Sequence, residues 1–66
     1  MSNINAVDRI ILQYFNDSKK KSTTDEISAT IKIPWITVNN SLEKLKSLKN
    51  LKKTKEGPNF YWQLIE

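Results

Sequence analysis

Pro34 divides this chain. The ring of a proline drives the residue before it out of the helical region, and proline lacks the N–H that a continuing helix needs. Helical patterning nevertheless runs up to Pro34 and resumes just beyond it. Two helices joined by a tight turn are therefore expected, over about residues 24–32 and 36–49. The first opens with Thr23 and Glu26 in the S/T-x-x-E relation of a capping box, and the apolar series Ile27, Ile31 follows. The second places Val38, Leu42, Leu45 and Leu48, with Ser41 among them, in one sector at about 100° per residue. Its opposite side carries Ile36, Asn40, Glu43 and Ser47, flanked by Asn39 and Lys46. Asn50 is expected as its left-handed stop.

Upstream, residues 5–17 predict another helix, with an apolar stripe of Val7, Ile10, Ile11, Tyr14 and Phe15. Asn3 or Asn5 caps its start, and Asp8 suits the positive end of the helix dipole. Leu12 lies off the stripe and is a candidate contact with another chain. The polar stretch NDSKKKS reads as a loop leading into a short extended piece. Downstream, 51–55 and 60–65 are strand-like runs flanking the turn cluster Glu56-Gly57-Pro58-Asn59, which predicts a β-hairpin over about 51–65. Alternation puts Phe60, Trp62 and Leu64 in the core under the third helix, with Tyr61, Gln63 and Ile65 facing outward.

Sixty-six residues allow one domain, spanning 1–66, near the size limit at which a single core holds a fold. Neither cysteine nor histidine is present, which excludes disulfides and the usual zinc sites, so no cofactor is expected. The common nucleophile–base pairs are missing, the carboxylates are scattered and no glycine-rich phosphate loop exists, so no enzyme is expected either. No apolar run approaches the roughly 18 residues needed to span a bilayer, and the N-terminus lacks a signal-peptide pattern. The expectation is a cytoplasmic protein with no membrane contact. Charge says more: 11 basic residues oppose 7 acidic ones, for a net +4. Lys44, Lys46, Lys49, Lys52, Lys53 and Lys55 cluster in one stretch, and Lys19, Lys20 and Lys21 form a second. Clustered lysine is the footprint of a phosphate-binding surface. Arg9 is the only arginine, so bidentate readout of guanine is mostly closed to this chain.

Helix, helix, tight turn, helix, hairpin is the order of a winged helix-turn-helix, an α+β fold that is mainly α. The stretch ISATIKIPWITVNNSLEKLKSLKNL, residues 27–51, resembles the helix-turn-helix core of MarR-type, ArsR-type and related regulators. Ile31 and Ile33 match the apolar pair that ends the second helix of that pattern. Pro34-Trp35-Ile36 match its turn, and Thr37-Val38 with Leu42 and Leu45 match its third helix. With the first helix and the hairpin, the resemblance covers about residues 5–66. A narrower resemblance is to Zα domains, which bind left-handed duplexes, through Asn39 and Trp62. There Glu43 stands where those domains have a Tyr, and Asn59-Phe60 where they have Pro-Pro.

The resemblance implies a regulator that binds double-stranded DNA, with the third helix in the major groove and the hairpin on the backbone. The candidate DNA-binding residues are then Trp35, Ile36, Thr37, Asn39, Asn40, Glu43, Lys44, Lys46, Lys53 and Lys55. The asparagine amides match the N6 and N7 edge of adenine, and Glu43 accepts from a cytosine amino group or repels wrong backbone placements. Trp35, Ile36 and Thr37 offer an indole N–H, a methyl and a hydroxyl at the helix entry. Lys44, Lys46, Lys53 and Lys55 contact phosphates. The rival reading is a winged helix with a protein partner, favoured by Trp35, Ile36 and Leu12 at the surface. Related regulators dimerise through added terminal helices, so a chain ending after its wing is expected as a monomer or as a homodimer through helix 1.

Overall fold

The computed structural model describes residues 4–65. Three helices, α1 (Ala6–Ser18), α2 (Thr24–Ile31) and α3 (Trp35–Ser47), precede an antiparallel hairpin of β1 (Leu51–Glu56) and β2 (Asn59–Leu64). No helix among the described residues is long and apolar enough to cross a membrane.

The helix starts are written locally. At α1 the Asn5 side chain accepts the Asp8 N–H at 2.9 Å, and the Asn5 N–H donates to Asp8 Oδ2 at 3.1 Å. Thr23 and Glu26 form the same reciprocal box at α2, at 3.1 and 3.2 Å. Each box satisfies amide groups that a helix end otherwise leaves unpaired. Pro34 takes the N-cap position of α3 with an extended ψ of 142°, so the helix begins at Trp35 and the turn is Lys32-Ile33-Pro34 rather than Pro34-Trp35-Ile36. The Ser28 hydroxyl closes that turn by donating to the Ile33 carbonyl at 2.7 Å.

All three helices end near a lysine in the left-handed region: Lys19, Lys32 and Lys49, with φ of 55°, 58° and 65°. Asn50, expected as the stop of α3, is not the left-handed residue. Its N–H turns back to the Leu45 carbonyl at 2.9 Å, and its own carbonyl accepts from Ile65, so Lys49 absorbs the reversal. A lysine there accepts a steric penalty of about 1 kcal/mol relative to glycine. Its charge lies near the negative end of the helix dipole, which offsets part of that.

The core comprises Ile11, Phe15, Ile27, Val38, Leu42, Leu45, Leu51 and Trp62, with Val7, Leu12, Tyr14, Ile31, Ile33 and Leu64 packed around it. Complete burial of such a side chain contributes about 1.5–3 kcal/mol. Three sequence expectations are corrected here. On α1 the exposed apolar residue is Ile10, at 44 %, while Leu12 packs against the core. The inward face is centred on Asp8, Ile11 and Phe15, so a stripe drawn through apolar residues alone was rotated toward Ile10. Leu48 is exposed because it caps α3, where the chain is already turning away. Phe60 is exposed too, since it pairs with Lys55 beside the hairpin turn, beyond the reach of the core.

The hairpin register runs from Leu51↔Leu64 to Glu56↔Asn59, leaving a two-residue loop. Gly57 has φ 63° and Pro58 is fixed at negative φ by its ring, the sign pattern of a type II′ turn that suits strand twist. Trp62 anchors the hairpin. Its indole N–H donates to Thr24 Oγ1 at 3.0 Å, and its backbone exchanges two hydrogen bonds with buried Ser22, at 2.8 and 3.0 Å. The Ser22 hydroxyl in turn meets the Tyr14 hydroxyl at 2.8 Å. The short extended piece after α1 is thus a one-residue bridge to β2.

Asp8 does more than face a dipole. It is completely buried, and Lys44 Nζ lies 2.5 Å from its Oδ2. Burial raises the Asp8 pKa, but the Lys44 ammonium, the Asn5 N–H and the Ser41 hydroxyl together hold it below the ordinary value. Oδ1 has no partner at hydrogen-bond geometry. The pair joins the first turn of α1 to the last turn of α3 and fixes how α3 lies on the bundle.

Candidate nucleic-acid interface

With Val38, Leu42 and Leu45 turned into the core, α3 must present its other side to water. Ile36 is 65 % exposed and Trp35 48 %, and Asn40 and Lys46 are exposed with them. Thr37, Asn39 and Glu43 are half-buried. The hairpin stands beside this face and leaves an open groove of about 430 Å³. Asp25 contributes from the start of α2, Trp35, Asn39 and Glu43 from α3, and Lys53 and Phe60 from the hairpin.

Strand alternation decides which hairpin residues face the groove. Lys53 lies opposite Trp62 and Lys55 opposite Phe60, all on one side of the ladder. Lys53 Nζ sits 4.6 Å from the Phe60 ring centre and 5.1 Å from that of Trp62, and Lys55 Nζ lies 5.7 Å from Phe60. Such cation–π contacts are worth about 0.5–1 kcal/mol at exposed sites. They hold the ammonium groups over the rings while leaving them open to an anion.

Glu43 joins the two walls. Its Oε1 is 3.3 Å from Lys46 on the same helix, and its Oε2 is 3.4 Å from Lys53 on the hairpin. Partial burial raises the Glu43 pKa, but Lys46 and Lys53 outweigh this and hold it below the usual carboxylate value.

Trp35, Asn39, Glu43 and Lys53 therefore share one groove, with Ile36, Asn40 and Lys46 on the adjoining exposed face and Lys55 at the hairpin. Lys44 is placed elsewhere, paired with Asp8 on the α1 side of the helix. Sequence reasoning missed Phe60 and Asp25 as groove residues. Position next to the turn cluster was the signal available for Phe60; nothing in the local pattern marked Asp25.

No family model matches the sequence, and no curated protein matches it. Solved structures do. A mutant of Lactococcus lactis ZitR superposes with a TM-score of 0.86 at 22% identity, covering 100% of this chain and 46% of that one. Wild-type ZitR in complex with DNA gives 0.77 at 23% identity over 97% of this chain and 46% of its own. The AntR antimony-specific transcriptional repressor gives 0.72 at 17% identity over 88% and 52%. The chain thus spans about half the length of the structures it resembles. With three helices, an antiparallel hairpin and this likeness, the chain has the winged helix-turn-helix fold.

Proposed function

We propose that this chain binds double-stranded DNA as a transcriptional regulator, with α3 in the major groove and the wing on the adjacent backbone. The observation that carries the reading is the groove: an exposed face of α3 stands beside a lysine-bearing wing, in a fold shared with a protein solved in complex with DNA. A helix of this exposure fits the major groove, and phosphates attract the flanking ammonium groups. Asn39 and Asn40 supply amides for adenine edges, and Trp35, Ile36 and Thr37 meet the duplex at the start of α3. Lys46, Lys53 and Lys55 contact phosphates, while Lys44 serves the fold through Asp8. The role requires neither catalysis nor a cofactor, and a cytoplasmic location is part of the same proposal.

Titration of a fluorescent random-sequence duplex at about 50 and 200 mM salt tests this. Three phosphate contacts give a log–log slope of roughly −2.7. Absence of binding at the lower salt would remove the DNA reading.

A second reading is a protein-binding winged helix, and exposed Trp35, Ile36 and Phe60 favour it. Such a contact depends little on salt, so the same titration, repeated with a candidate partner, separates the two. For a homodimer through α1, the residue offered is Ile10 rather than Leu12.

A further inference from the structure

We infer that Glu43 sets the sequence specificity of this surface, by holding Lys46 and Lys53 in ion pairs that only a duplex offering an amino group to the freed carboxylate replaces without loss. The inference rests on the DNA reading and deepens it. Both oxygens of Glu43 are engaged, Oε1 by Lys46 and Oε2 by Lys53, so one carboxylate pairs with two of the three cations that phosphates would use and offsets half of their charge. A phosphate that takes either lysine must displace that carboxylate. Glu43 lines the groove from α3 and so stays within the interface when its lysines are taken. It then faces the negative potential of the duplex with its own cations withdrawn.

Water solvates it only partly beside a polyanion, and within the interface the base edges supply the direct donors. The major groove presents exocyclic amino groups at cytosine N4 and adenine N6. A glutamate accepts best from cytosine N4, because adenine N6 stands beside the N7 acceptor, which repels a carboxylate. Where that donor is in reach, the exchange is balanced: two lysines gain phosphates and the carboxylate gains an amino group. Where it is not, an anion is left without a partner beside a polyanion. Glu43 therefore weakens binding to every duplex and weakens it least for the matched one. The rings of Phe60 and Trp62 keep Lys53 in place throughout, since cation–π contact does not compete with a phosphate for the same side of the ammonium.

The experiment compares the wild-type chain and Glu43→Gln on two duplexes, one of random sequence and one selected in vitro for tight binding to wild type, at several salt concentrations. Glutamine keeps the shape and removes the charge. The random duplex is expected to bind Glu43→Gln about tenfold more tightly at the lowest salt, with a salt slope steeper by about one. The gap between selected and random duplexes should shrink about tenfold, within the range one misplaced base contact produces. Adding Lys53→Gln to Glu43→Gln should abolish most of the gain. Equal binding by wild type and Glu43→Gln on both duplexes would overturn the inference while leaving the DNA reading intact. Failure of wild type to bind any duplex would overturn both.

Discussion

Glu43 and Lys44 are neighbours on α3, and each is ion-paired to a different part of the molecule. Lys44 reaches Asp8, a carboxylate with no exposure to water. Glu43 reaches Lys46 and Lys53 from a side chain that is 43 % exposed. The difference lies in what water does when each pair breaks. Removing one member of a buried pair strands the other charge in a poorly solvated place and costs about 3–5 kcal/mol. Members of an exposed pair rehydrate, so the pair is worth about 0–1 kcal/mol. A single step along the helix thus separates a pair that fixes the fold from one that a ligand can exchange.

The largest effect expected from this contrast comes from Asp8→Ala, which removes the ion pair between α1 and α3 and half of the α1 capping box. A loss of about 3 kcal/mol is expected, discounted from the upper range because Lys44 is partly exposed. Urea denaturation measures it, and a loss below about 1 kcal/mol would erase the contrast. Acid gives a related test. The folded pKa of Asp8 lies below its ordinary 3.8, so its contribution is complete above that value and disappears as pH falls through the lowered one. The stability difference between wild type and Asp8→Ala should therefore narrow on acidification below about 3.8, as followed by urea titrations at successive pH values. Next in size is Asn5→Ala, which removes the cap acceptor but keeps the ion pair; about 1 kcal/mol should be lost on thermal melting. Smallest is Lys53→Gln on the exposed side, which should shift stability by no more than about 1 kcal/mol, its ring contacts included, while weakening duplex binding. If it destabilised the fold as much as Asp8→Ala does, α3 would have no exchangeable side.

Much of the architecture was legible because its signals are local. Thr23 and Glu26 mark the start of α2, Pro34 marks the break, and Gly57-Pro58 mark the hairpin turn. What was not legible depends on partners distant in sequence. Asp8 reads only as a first-turn acid suited to the helix dipole until Lys44, far along the chain, comes into contact with it. That hidden polar residue also rotated the inferred face of α1, exchanging the places of Ile10 and Leu12. Phe60 alternates in phase with Trp62 and Leu64, but alternation assigns a side of the ladder and not a depth, and the core ends before Phe60. The groove followed the same rule. Its α3 members could be read from helical spacing, whereas the ties of Glu43 to Lys53 and of Lys53 to the rings needed the hairpin in position.

Ser22 and Trp62 exchange both of their backbone hydrogen bonds, and the Trp62 indole is bonded to Thr24, whereas from Lys55 to Phe60 every residue is exposed. The wing is therefore a cantilever. Its root should open only when the whole molecule unfolds, and its tip should open on its own, so amide exchange will slow progressively from turn to root. If the wing meets a duplex as proposed, compliance confined to the tip would let it follow a groove of variable width while the angle of α3 stays fixed.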